Sequence, residues 1–189
     1  MALIRLEKLG LNTDKLEFKF VCKNLMDIQI CSKTDPFLKF YRPTAVKTSE
    51  MDGEFFDPKD IPANNWLLIY QTEHCMSNLN PEFNSWRISG EKMSKGDYTL
   101  PIKVEFYDWE SGGSHRIVGH LYFRMHDIIQ TNARKWEFFS CKKKKSAGFL
   151  HLEKFTIINK PTLLPIIENG LKINTIVGID FTSSNIDSN

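Results

Sequence analysis

Residues 102–123 read IKVEFYDWESGGSHRIVGHLYF. From Ile102 to Trp109 apolar and polar side chains alternate, and a second strand-like run follows from Ile117 to Phe123. Successive side chains of a strand point to opposite faces, so a period of two marks a strand with one face on a core. Gly112-Gly113 supplies the tight loop between the two runs.

The same texture extends in both directions. Residues 15–21, KLEFKFV, alternate strictly. A Thr-Asp-Pro turn precedes Phe37–Tyr41, and Asn80-Pro81 opens the segment EFNSWRI. Residues 43–63 carry Pro43, Gly53, Pro58, Pro62 and several acids, the composition of an excursion loop. Trp66–Tyr70 is continuously apolar, as expected of a strand covered on both faces. Trp136–Phe139 and Gly148–Phe155 complete the set, and a brief helical turn is expected near His126–Ile129. Eight short strands with no long amphipathic helix define an all-β fold, an eight-stranded antiparallel β-sandwich.

After Pro161 the pattern changes. Leu163–Asn169 suits a short helix, with Gly170 as its C-cap. Ile173–Phe181, INTIVGIDF, resembles a buried parallel strand. A short C-terminal helix and strand from an incomplete α/β domain are expected there.

The chain has 189 residues, 41% hydrophobic and 25% charged. Its net charge of +2 provides no global field for nucleic acid, so any anionic partner must be met locally. No run of about 18 apolar residues is present to span a membrane as a helix. The opening MALIRLEKLG mixes charges among its apolar residues, unlike a signal peptide. Four cysteines form no CxxC pair and no N-x-S/T sequon occurs, so a reducing cytoplasmic compartment is expected.

Two loops concentrate acids: residues 24–36 and residues 107–119. Carboxylates converging at one end of a sandwich can hold a hard cation such as calcium, which takes six to eight oxygens. Loop acids are equally consistent with simple solvation. The histidines never stand at ligand spacing, and no nucleophile–base order or phosphate-cradling loop occurs, so an enzyme is not expected. Trp66, Trp86, Trp109 and Trp136 lie on or beside strands and are assigned to packing. Trp109 is also placed to brace the acids of its loop.

These residues resemble a known family. TDPFL at 34–38, NLNPEFN at 78–84, GDYTLPIKVE at 96–105 and YDWESGGSH at 107–115 are similar to a C2 domain. GLKINTIVGIDFTSSN at 170–185 resembles the opening of a von Willebrand factor A-like domain, in the order found in copines. The resemblance implies a lead-in at 1–13, a copine second C2 domain at 14–158, and a linker with the start of a truncated A-like domain at 159–189. It implies calcium-dependent binding to anionic phospholipid by a cytoplasmic protein peripheral at membranes.

The family's calcium site takes two acids from the first loop and three from the second. Position by position, the resemblance places Asp35, Asp108 and Glu110 at acid positions, Gln29 where the first acid belongs and Arg116 where the last belongs. Three acids and one cation leave the cluster near −2, so any calcium binding is expected to be weak. Arg116 is expected to bridge Asp35 and Asp108, and Gln29 retains a carbonyl oxygen to offer. Lipid contact without calcium falls to Lys39, Arg42, the run Lys142, Lys143, Lys144 and Lys145, and Ile30 at the first loop's tip. Each of these also has a bland reading, as a solvated charge or as loop packing. Asp180, Thr182 and Ser184 match the start of the A-domain metal motif, which needs further ligands from later loops. A protein-interaction module independent of calcium is the alternative to a lipid-binding one.

Overall fold

The computed structural model describes residues 14–29, 32–44, 57–142 and 145–158. The expected helix and strand after Pro161, the metal motif at Asp180, Thr182 and Ser184, and the positions Ile30, Lys143 and Lys144 lie outside the described residues. Eight strands follow in order: β1 (Lys15–Lys23), β2 (Pro36–Pro43), β3 (Trp66–Gln71), β4 (Trp86–Ser89), β5 (Pro101–Asp108), β6 (Arg116–Arg124), β7 (Lys135–Ser140) and β8 (Ser146–Ile158). Among the described residues two short α-helices intervene, α1 (Gly90–Ser94) and α2 (Met125–Gln130), the second being the expected turn.

All pairings are antiparallel, in the order β3-β2-β5-β6-β7-β8-β1-β4. The sheet curls at the β6–β7 seam, where only Gly119↔Ser140 and His120↔Phe139 pair. A side chain at Gly119 would put its Cβ 2.9 Å from that of Ala147, so glycine permits the close approach at the seam. Curling brings one half of the sheet onto the other. Phe20 of β1 meets Phe40 of β2 with ring centroids 5.3 Å apart, and Phe106 of β5 meets Phe138 of β7 at 5.9 Å. Leu16, Phe18 and Phe20 are fully buried, as the alternation of β1 requires.

Trp66–Tyr70 departs from expectation. Among the described residues β3 lies at a sheet edge, paired only with β2, and Leu67 and Leu68 are 44% and 46% exposed. A register shift between Phe40 and Tyr41 pairs Tyr70 with Phe40 and Leu68 with Tyr41. The extra residue, Ile69, turns into the core and is 4% exposed. The continuous apolar run therefore records a bulge on an edge rather than cover on two faces. Leu68→Lys is expected to change stability by no more than about 0.5 kcal/mol in urea denaturation. A cost above about 2 kcal/mol would mean that the outer face of β3 is covered.

Of the segment EFNSWRI only the part from Trp86 onward is strand, within β4, and Glu82 makes an isolated bridge to Val21. Helix α1, not anticipated from sequence, starts where the Ser89 side chain caps the Lys92 amide at 3.2 Å. At the start of β8, Gly148 has φ +110°, and a Cβ there would meet the Asn24 carbonyl oxygen at 2.7 Å. The Met26 amide bonds to the Ala147 carbonyl at 3.0 Å. Together these seat the β1–β2 loop against the beginning of β8.

Candidate functional site

Strand register collects the loops at one end. Asp108, the last residue of β5, pairs with Pro36 at the start of β2 and with Arg116 at the start of β6. Ser140, at the end of β7, pairs beside them with Gly119. The Cys75 amide bonds to the Pro36 carbonyl at 3.0 Å. The loops β1–β2, β3–β4, β5–β6 and β7–β8 therefore open on the same side.

Asp108 is the hub of this end. Its side chain is fully buried and heavily bonded. It accepts hydrogen bonds from the Gln29 amide nitrogen at 3.0 and 3.1 Å, from the Asp35 backbone amide at 3.0 Å and from Arg116 Nη2 at 2.8 Å. The same Nη2 lies 2.8 Å from Glu110 Oε1. Burying a carboxylate is costly unless it is paired and bonded, and here both conditions hold.

Two expectations are corrected. Arg116 bridges Asp108 and Glu110, not Asp35 and Asp108. The Asp35 carboxylate instead accepts the Ser77 amide of the β3–β4 loop at 2.6 Å, and its carbonyl accepts the Trp109 amide at 2.9 Å. Gln29 turns its NH2 edge toward Asp108, while its carbonyl oxygen takes the Ser32 hydroxyl. A carbonyl oxygen facing the carboxylate would repel it, so the charge of Asp108 selects the orientation. Asp27 is occupied within its own loop, accepting from the Thr34 amide and hydroxyl and from the Gln29 amide.

Aromatic rings brace these acids. Trp109 stacks on His74, with centroids 4.3 Å apart. His115 accepts the Glu110 amide at Nδ1 (3.1 Å) and packs roughly perpendicular to the Phe37 ring, with centroids 5.0 Å apart. Among the described residues no group of three or more His, Cys, Asp or Glu is arranged to hold a metal. Calcium asks for oxygen lone pairs that point inward. Here the Asp108 lone pairs are spent on donors, and a guanidinium nitrogen sits against two of the three carboxylates. As arranged, these residues do not fit the ion.

The basic candidates differ in availability. Lys142 lines a cavity of about 280 Å³ with Met26, Asp27, Ile28, Arg116 and Ser140. Lys145 is exposed on the same loop. Lys39 is half-buried, its ammonium 4.6 Å from the Tyr107 ring centroid. Arg42 is tied to the fold, donating to the carbonyls of Lys92 and Pro43 at 3.1 Å each. On the same outer face Lys103 pairs with Glu105 at 3.0 Å and lies over Tyr41 and Trp66. Burial pushes the Glu105 carboxyl upward, but its bonds from Lys103 and from the Tyr107 hydroxyl outweigh this and hold it below the usual range. Burial and the bond to Glu105 push the Tyr107 phenol up to about 12. That face is a closed network whose central lysine is already partnered.

Sequence reasoning missed Met76, which is 74% exposed in the β3–β4 loop. A single methionine among polar loop residues carries no periodic signal.

No family model matches the chain. It is 31% identical over 158 residues to Copine-A of Dictyostelium discoideum, covering 72% of this chain and 26% of that protein. The chain thus spans about a quarter of the length of that relative. Among solved structures it resembles BON1-C2B with a TM-score of 0.58 at 21% identity, over 79% of this chain and 95% of that one. It also resembles the C2A domain of plant Extended Synaptotagmin 1, with a TM-score of 0.50 at 16% identity, over 79% and 98%.

Proposed function

Because this chain is a relative of the copines that folds as a C2 domain, we propose that its loop end binds anionic phospholipid surfaces and does so without calcium. The observation that carries this reading is the Arg116 guanidinium, 2.8 Å from both Asp108 and Glu110. With the metal position taken, contact with a membrane falls to charge and to apolar insertion. Lys142 and Lys145 supply the charge on the β7–β8 loop, with Lys143 and Lys144 between them in sequence. Met76 supplies an exposed apolar side chain at the same end. A lysine near an anionic leaflet contributes about 1 kcal/mol, and salt screens the attraction. Lys39 and Arg42 are minor in this reading, since both are engaged within the fold. The protein is then peripheral at membranes. No helix among the described residues is long and apolar enough to cross one.

Co-sedimentation with phosphatidylserine-rich vesicles tests this at about 0.15 M salt. Equal binding with calcium and with a chelator is expected. Replacing Lys142 through Lys145 by glutamate is expected to weaken it at least tenfold, about 1.4 kcal/mol. Binding only with calcium would overturn the proposed independence. No binding in either condition would favour a calcium-independent protein-interaction module instead.

A further inference from the structure

We propose that Arg116 is the resident cation of the loop end, and that its acidic positions accept a divalent metal only when Arg116 is removed. The inference rests on the calcium independence proposed above and deepens it to the charge balance of the site, so its test reads metal binding and not vesicle binding.

Register makes the arrangement possible. Arg116 is the direct cross-strand partner of Asp108 on β5–β6, so the cation is tethered beside the carboxylate it neutralises. A guanidinium is a weakly hydrated, planar cation suited to pairing with more than one carboxylate. One nitrogen reaches both Asp108 Oδ2 and Glu110 Oε1 at 2.8 Å. Gln29 adds a second, neutral donor against Asp108. Loops that a divalent ion would otherwise draw together are already drawn together: Gln29 of β1–β2, Asp108 and Glu110 of β5–β6, and the Asp35 amide.

A free ion would have to expel a tethered guanidinium and then accept amide nitrogens where it needs oxygens. Electrostatics sets this barrier, not sterics, since the Arg116 side chain is 46% exposed. Placing aspartate at both 29 and 116 would add two carboxylates within reach of Asp108 and Glu110, remove the positive charge and leave the place open to water. Such a constellation has the oxygen donors that calcium takes.

The test is thermal unfolding of the whole chain with a chelator or with about 1 mM calcium, a concentration within the range of protein calcium sites. The wild-type midpoint is expected to agree between the two within about 1 °C, as no binding term arises. Gln29→Asp/Arg116→Asp is expected to unfold roughly 5–10 °C lower in chelator and to regain at least about 5 °C with calcium. If the double variant is unfolded in chelator, calcium is expected to refold it. Arg116→Gln, which removes the charge without adding an acid, should gain a smaller response of the same sign. A calcium-dependent rise in the wild-type midpoint would overturn the proposal. So would a double variant that neither shifts nor refolds with calcium.

Discussion

Phe20→Ala is expected to lower unfolding free energy by about 3–5 kcal/mol, the range for truncating a fully buried phenylalanine. The ring of Phe20 is central to the sandwich. It stacks on Phe18 at 5.6 Å within β1 and meets Trp86 of β4 at 6.4 Å. Across the core it meets Phe40 of β2 at 5.3 Å and Phe123 of β6 at 6.2 Å. No strand pairing joins β1 to β2 or to β6, so side-chain contact is what holds those halves face to face. Alanine would forfeit the transfer energy of the ring and leave a cavity that four rigid aromatic neighbours cannot close. The urea midpoint should fall while the slope stays constant, because both states keep their exposed areas. In a domain of this size the melting temperature should drop by roughly 6–20 °C. A cost below about 1.5 kcal/mol would mean that the two halves do not share one core.

That core was readable because β1 alternates so strictly. KLEFKFV assigns Leu16, Phe18 and Phe20 to one face, and all three are fully buried. The reading weakens where the period breaks. Near the end of β1 a register shift between Lys19 and Phe20 leaves Val21 and Cys22 both buried. On β3 a bulge makes WLLIY continuous without covering it. Bulges add a residue on one strand only, so the information sits in the pairing and not in either sequence alone. Helix α1 is five residues long, too short for a 3.6-residue period to register.

The loop end shows the same division. The family resemblance placed Gln29, Asp35, Asp108, Glu110 and Arg116 together, and in the structure Asp108 bonds to Gln29, to Arg116 and to the Asp35 amide, with Glu110 on the same guanidinium. Which acid Arg116 holds was set by cross-strand register, Asp108 opposite Arg116, and by an amide from a distant loop that claims Asp35. Met76 and the Lys103–Glu105 network depended on three-dimensional neighbours and left no mark in the spacing.

The second large effect is expected at Asp108. Asp108→Ala should cost about 3–5 kcal/mol, the range for breaking a buried ion pair by removing one partner. The loss is not confined to charge. Arg116 would keep only Glu110, and Gln29 would lose its side-chain acceptor. The Asp35 amide, at the junction of the β1–β2 loop with β2, would be left without the bond that fixes the loop's end. Asp108→Asn separates these contributions. Its carbonyl oxygen can still accept the Asp35 amide, but its NH2 group then faces donors from Gln29 or Arg116, so an intermediate cost is expected. Urea denaturation gives the energies, and amide hydrogen exchange at Asp35 reports the loop directly. Exchange at Asp35 should quicken strongly in the alanine variant and modestly in the asparagine variant. If Asp35 exchange is unchanged in both and Asp108→Ala costs under about 1 kcal/mol, the carboxylate is not what joins the two loops. The aromatic braces, Trp109 on His74 and His115 on Phe37, would then carry that end of the sandwich.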